Sequence, residues 1–135
     1  MYSFEFDPSF FCIAITGGPC AGKSTFLARA VKLLESRGIV ARVLSETATE
    51  LMNSGFSPIN NPSFQEDILL YQLARERQFY RMLKNDLNSK KMVLLCDRGA
   101  LDGLAYSDRD SFKLFLVEIV SNLKNCDSDI EQLYI

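Results

Sequence analysis

Phe10-Phe11-Cys12-Ile13-Ala14-Ile15, followed across Thr16 by Gly17-Gly18-Pro19-Cys20-Ala21-Gly22-Lys23-Ser24-Thr25, decides the fold. The first six residues form an apolar run without alternation, the pattern of a strand buried on both faces. From Gly17 to Ser24 the chain fits G-x-x-x-x-G-K-[S/T] at every fixed position. Beyond it Phe26, Leu27, Ala30, Val31 and Leu34 recur at helical spacing and Gly38 supplies a stop, which predicts a helix over residues 23–37.

Strand, glycine-containing turn and amphipathic helix, in that order, form the setting in which such a loop holds phosphate. Glycines let several main-chain N–H groups converge on an anion, and the helix N-terminus adds its partial positive charge. Gly17, Gly18, Pro19, Cys20, Ala21, Gly22, Lys23, Ser24 and Thr25 are therefore the candidate phosphate-binding residues. Lys23 supplies a mobile point charge for the β and γ phosphates, and Ser24 a hydroxyl for the Mg²⁺ that bridges them. Thr25 adds a further phosphate contact. The rival reading is a glycine turn whose lysine is merely solvated, but random composition produces this pattern in only about 0.5% of chains of this length. Cys20, at a helix start that favours a thiolate, reads first as a small filler at a variable motif position.

Outward from the loop, Val40-Ala41-Arg42-Val43-Leu44 reads as a second strand, and Thr47-x-x-Glu50 has the form of a capping box opening a short helix that stops near Gly55. Residues 55–61 read as a loop. Pro62 and Ser63-x-x-Glu66 open a long helix reaching about Asn88, with Leu69, Leu73, Tyr80, Leu83 and Leu87 on one stripe. Its polar residues Gln65, Gln72, Arg75, Glu76 and Arg77 read as a solvated face, with Gln72 or Arg75 as the residues to turn toward an acceptor. Residues 91–97 form a third, central strand. From Ser111 onward Phe112, Phe115, Leu116, Ile119, Val120 and Leu123 keep a helical period, and residues 130–135 begin a fourth strand. Strands alternating with helices imply an α/β domain, a parallel sheet flanked by helices on both faces.

The chain has 135 residues, 47% of them hydrophobic and 24% charged, enough for one domain with its own core. Its net charge of −2 gives no electrostatic ground for nucleic-acid binding. It contains no His, which excludes imidazole-based triads and leaves a catalytic base to a carboxylate, Lys, Tyr or Cys. Cys12, Cys20, Cys96 and Cys126 show no C-x-x-C spacing, so reduced thiols and a cytoplasmic location are expected. No apolar run approaches the roughly 20 residues of a transmembrane helix.

Two carboxylates complete the candidate site. Asp97 ends the hydrophobic third strand as a magnesium-holding aspartate does, directly or through water, and Arg98 follows it. Glu46 ends the second strand. In a parallel sheet the C-terminal strand ends line the ligand crevice, so Glu46, Asp97 and Arg98 are expected on the same edge as the loop. Glu46 is then a general base or acceptor for a substrate hydroxyl, against the rival reading of a solvated turn residue.

With the loop, Ser45-Glu46-Thr47-Ala48-Thr49-Glu50, Phe64-Gln65 and Cys96-Asp97-Arg98-Gly99-Ala100-Leu101-Asp102-Gly103 together, the chain resembles the AAA-like P-loop ATPase and kinase family. That family includes the NadR kinase domain and the TRPL translocation-defect protein and is related to nucleoside and nucleoside-monophosphate kinases. The resemblance implies a P-loop NTPase fold, a kinase-like core without its C-terminal part, with ATP or GTP as ligand and Mg²⁺ as cofactor. It puts Gly17, Gly22, Lys23, Ser24 and Thr25 on the phosphates and metal, Asp97 and Arg98 at the transferred phosphoryl group, and Glu46 as base on the acceptor side. Residues 1–135 are taken as one nucleotide-binding domain ending near the fourth strand, its closure left to a protein partner or a further C-terminal segment.

Phosphoryl transfer to a small hydroxylated, nucleoside-like acceptor is the expected activity. The alternative is a regulatory switch whose loops order around a γ phosphate with weak or no hydrolysis.

Overall fold

The computed structural model describes residues 9–17, 22–86, 91–106, 108, 110–111, 113–115 and 117–118. The centre of the loop (18–21) and the expected fourth strand (130–135) lie outside the described residues. Three parallel strands, β1 (Phe10–Ile15), β2 (Val40–Leu44) and β3 (Met92–Asp97), form a sheet in the order β1-β3-β2. The register pairs Ile15 with Asp97 and Leu44 with Cys96, so all three strands end at one edge.

β3 is central because it is apolar at every position from Met92 to Cys96, and it packs on both sides. Val93 and Leu95 meet Leu27, Ala30, Val31 and Leu34 of α1 (Lys23–Ser36) on one face. Met92, Leu94 and Cys96 meet Phe79, Tyr80 and Leu83 of α3 (Phe64–Asp86) on the other. Complete burial of a residue such as Leu94 contributes about 1.5–3 kcal/mol. Phe10 and Tyr80 form an edge-on aromatic pair with centroids 4.8 Å apart, which ties β1 to α3.

β1 departs from its sequence pattern. Phe10 is buried, but Phe11 and Ile13 are 45% and 44% exposed. The strand has a hydrogen-bonded neighbour on one side only among the described residues, and α1 packs on Val93, Leu95 and Ile15 rather than over Phe11 and Ile13. An unbroken apolar run does not distinguish a doubly covered strand from one covered on one face.

α1 stops as its glycine predicts: Gly38 donates to Glu35 O and Ile39 to Leu34 O, the pattern of a glycine-terminated helix. The expected capping box in α2 (Thr47–Asn53) is absent. Glu46 holds the N-cap position without a side-chain cap, and Thr47 lies inside the helix, buried. Both supposed box members are drawn across to α3 instead. Thr47 Oγ1 donates to Gln72 Oε1, and Glu50 accepts from Tyr71 Oη at 2.5 Å.

A 3₁₀ helix (Ala100–Tyr106) follows β3 and packs through Ala100 near Leu69 and Leu73 of α3. The described residues among 110–118 are helical, in accord with the period that begins at Ser111. Among the described residues no helix is long and apolar enough to cross a membrane.

Candidate functional site

The site assembles at the C-terminal edge of the sheet, where β1 turns into α1 and where β2 and β3 release their last residues. Gly22 caps α1 with φ +78°, a left-handed conformation that strains any residue with a Cβ. Among the described residues no side chain caps this helix, and no acidic residue occupies its first turn to oppose an anion at its positive end. Lys23 Nζ reaches back over the turn to donate to Gly17 O at 3.1 Å. Ser24 and Thr25 are exposed on the same first turn. Gly18, Pro19, Cys20 and Ala21 lie outside the described residues.

At the end of β3, Arg98 takes φ +69°, uncommon for a residue with a long side chain. Its N–H donates to Ile15 O at 2.9 Å, continuing the ladder with β1 past Asp97. The conformation returns its side chain to Glu46: Arg98 Nε lies 3.3 Å from Glu46 Oε1, an ion pair rather than an aligned hydrogen bond. Gly99 is required by space. A Cβ there would stand 2.8 Å from Ala14 Cβ, closer than real Cβ atoms approach. Asp102 Oδ2 then accepts the Gly99 N–H at 2.7 Å and fixes the start of the 3₁₀ helix. Asp102 enters the sequence reading only as part of the family-like stretch, although its position three residues after Gly99 is a capping signal.

Two cavities meet at Glu46. One, about 560 Å³, is lined by Ser24, Asp97, Glu46, Thr49 and Glu50 among others. The second, about 450 Å³, has walls of Ala48, Met52, Pro58, Phe64 and Ile68, with Glu46, Thr47, Gln65, Gln72, Arg98 and Asp102 among its polar groups. The first is lined by hydroxyls and carboxylates, and the second is largely apolar with a few polar groups, as small-molecule pockets are. Thr25 lines neither.

Asp97 Oδ1 is buried and has no hydrogen-bond partner among the described residues. A buried carboxylate oxygen left this way is costly unless a cation completes it. With the Ser24 hydroxyl in the same cavity, the donor set is hard oxygen and fits Mg²⁺.

Under Glu46 lies a polar lattice that the solvated-face reading of the long helix missed. Gln72 and Glu76 are 3% exposed. Arg75 donates to Ser45 O at 2.9 Å, Ser45 Oγ at 2.8 Å and Thr47 Oγ1 at 2.9 Å, and pairs with Glu50 Oε2 at 2.9 Å. It thus grips the residues on both sides of Glu46. Gln72 Nε2 donates to Glu76 Oε1 at 2.6 Å and to Arg98 O at 3.4 Å, tying α3 to the end of β3. The hydrogen bond to Glu50, with burial reinforcing it, raises the Tyr71 phenol above its ordinary pKa. Helical charge spacing resembles a solvated face whether or not a second short helix covers it, so the sequence offered no sign of the lattice.

Cys12 and Cys96 also come together, with sulfurs 3.7 Å apart, although they are 84 residues apart in sequence. Contact with Cys12, then burial, then the nearby Glu76 hold the Cys96 thiol far above the ordinary range.

The model of the AAA domain family matches residues 12–123, most of the chain, from within β1 through the 3₁₀ helix and beyond. The chain belongs to that family. Its strand–loop–helix start, parallel sheet and strand-end aspartate are those of a P-loop domain of the nucleotide-binding class. No curated protein and no solved structure matches the chain significantly.

Proposed function

We propose that this AAA-family domain is a magnesium-dependent phosphotransferase, moving the γ-phosphoryl group of ATP or GTP to a hydroxyl of a small, nucleoside-like acceptor. The observation that carries the reading is the placement of Glu46 in the wall shared by an oxygen-lined cavity beside the loop and an apolar pocket beyond it.

Gly17 through Thr25 bind the phosphates, with Lys23 neutralising the β and γ groups. Asp97 and Ser24 would hold Mg²⁺, which would neutralise phosphate charge when bound. Arg98 stabilises charge on the phosphoryl group in flight. Glu46, oriented by Arg98 from one side and by the Arg75-gripped backbone beneath, accepts the proton of the acceptor hydroxyl. The apolar walls around Phe64 and Ile68 exclude water from the transfer, and Gln65, Gln72 and Asp102 supply polar contacts for the acceptor. The resemblance to the NadR kinase domain directs the acceptor search to nucleosides, and dependence on a nucleoside triphosphate suits a cytoplasmic enzyme.

The test is consumption of ATP and GTP with and without a panel of nucleosides, nicotinamide riboside included. The reading expects acceptor-stimulated turnover that Glu46→Gln abolishes while nucleotide binding persists. Nucleotide binding with no stimulation by any acceptor, unchanged by Glu46→Gln, would favour the regulatory switch instead.

A further inference from the structure

The paired thiols under the sheet edge have a third companion. Cys12 on β1, Cys96 on β3 and Glu76 on α3 bring their ligand atoms within 4.8 Å of one another. Cys96 Sγ lies 3.7 Å from Cys12 Sγ and 3.8 Å from Glu76 Oε1. Cys96 and Glu76 are buried, whereas Cys12 is partly exposed.

These separations can be compared with two chemistries. A disulfide brings its sulfurs to about 2.05 Å, far inside the observed distance. A tetrahedral zinc ion, with Zn–S near 2.3 Å and Zn–O near 2.1 Å, holds two sulfurs about 3.8 Å apart and a carboxylate oxygen about 3.6 Å from each. The Cys12–Cys96 and Cys96–Glu76 separations of 3.7 and 3.8 Å are close to two edges of that tetrahedron, and the third pair lies within 4.8 Å. Two sulfurs with one carboxylate select a borderline-soft cation over Mg²⁺ or Ca²⁺. The donation from Gln72 Nε2 to Glu76 Oε1 at 2.6 Å orients the carboxylate as a ligating carboxylate is usually oriented.

We propose that Cys12, Cys96 and Glu76 form a three-ligand site for a thiophilic divalent cation of the zinc class, with a fourth position for water on the side where Cys12 is exposed. The ion would join β1, α3 and β3 through one ligand from each. It is distinct from the magnesium position, shares no ligand with it, and stands whether or not the chain transfers phosphate.

The test uses the full chain with Cys20 and Cys126 replaced by Ser, reduced and stripped of metal, and Co²⁺ as the probe. The site expects one equivalent of Co²⁺ with sulfur-to-cobalt charge-transfer absorption and tetrahedral visible bands. Zn²⁺ should displace it and excess Mg²⁺ should not. Cys12→Ser, at the partly exposed position, should remove about half of the charge-transfer intensity and weaken binding about tenfold or more; Glu76→Gln should shift the visible bands and weaken binding about 10–100-fold. A folded parent without charge-transfer bands would overturn the proposal, as would equal affinity in Cys12→Ser. So would a mass loss of two hydrogens on mild oxidation in a protein that takes up no Co²⁺, which would mark a redox pair instead.

Discussion

Arg98, in a left-handed backbone conformation, places its Nε 3.3 Å from Glu46 Oε1 and so links the end of β3 to the end of β2 at the point where two cavities meet. Backbone strain held at such a position is a feature of functional sites, and its removal separates stability from activity. Arg98→Gly relieves about 1 kcal/mol of strain and loses a partly exposed ion pair of similar size, so its melting temperature should stay within about 3 °C of the parent. Phosphoryl transfer should fall about 100-fold or more. Melting curves and steady-state rates on the same preparation check both halves.

Gly99 makes a purely steric prediction. Gly99→Ala drives a methyl group onto Ala14 and should destabilise the fold by about 1–3 kcal/mol. Ala14→Gly removes the colliding atom, so the double variant should recover part of the loss. A denaturant-unfolding cycle over the four proteins measures the coupling, which should be favourable and near 1 kcal/mol.

Arg75 holds both flanks of Glu46 through Ser45 and Thr47, and also pairs with Glu50. Arg75→Met should cost about 1–3 kcal/mol in urea unfolding, because charge-assisted bonds to a backbone carbonyl and two hydroxyls are lost together. Arg75→Lys, a single point charge without the planar fork, should recover little of that cost. Acceptor-dependent turnover should drop in both variants, with less change in nucleotide affinity.

Asp108 gives a pH-dependent prediction. The Ser111 hydroxyl at 2.7 Å and the Ser111 N–H at 3.1 Å hold its carboxyl below the usual aspartate value. A group lowered in the folded state adds stability above its unfolded pKa and loses it as pH falls through the folded one. Wild type should therefore melt above Asp108→Ala at neutral pH, and the gap should close in acid below about pH 4. A melting series from pH 7 to pH 2 checks the convergence.

Much of this architecture was legible in the sequence because it is local. The strand over Phe10 to Ile15, the helix that opens at Lys23, the stop at Gly38 and the apolar third strand ending in Asp97 each depend on neighbours a few residues away, and each is present in the structure, although β1 is covered on one face rather than two. What was not legible depends on distant packing. Thr47 and Glu50 satisfy a capping pattern locally, but α3 offers Gln72, Arg75 and Tyr71 as partners, and the tertiary bonds displace the local ones. Gln72 and Glu76 have the spacing of a solvated face and are nonetheless buried. Cys12 and Cys96 meet only because β1 and β3 are paired with Cys12 opposite Leu94, a register that linear spacing does not specify.

The central claim is that the turn around Gly17, Lys23 and Ser24 holds a magnesium-bound nucleoside triphosphate, and melting of the wild-type and Lys23→Ala chains with Mg·ATP and Mg·GTP tests it most directly. At about 100 times the dissociation constant a ligand stabilises the fold by about 2.7 kcal/mol, a rise on the order of 10 °C for a domain of this size. The account predicts that rise in the wild type with at least one of the two nucleotides, its loss without magnesium, and its near-absence in Lys23→Ala. Wild-type curves that stay fixed up to millimolar Mg·ATP and Mg·GTP, or that shift equally in Lys23→Ala, would contradict it.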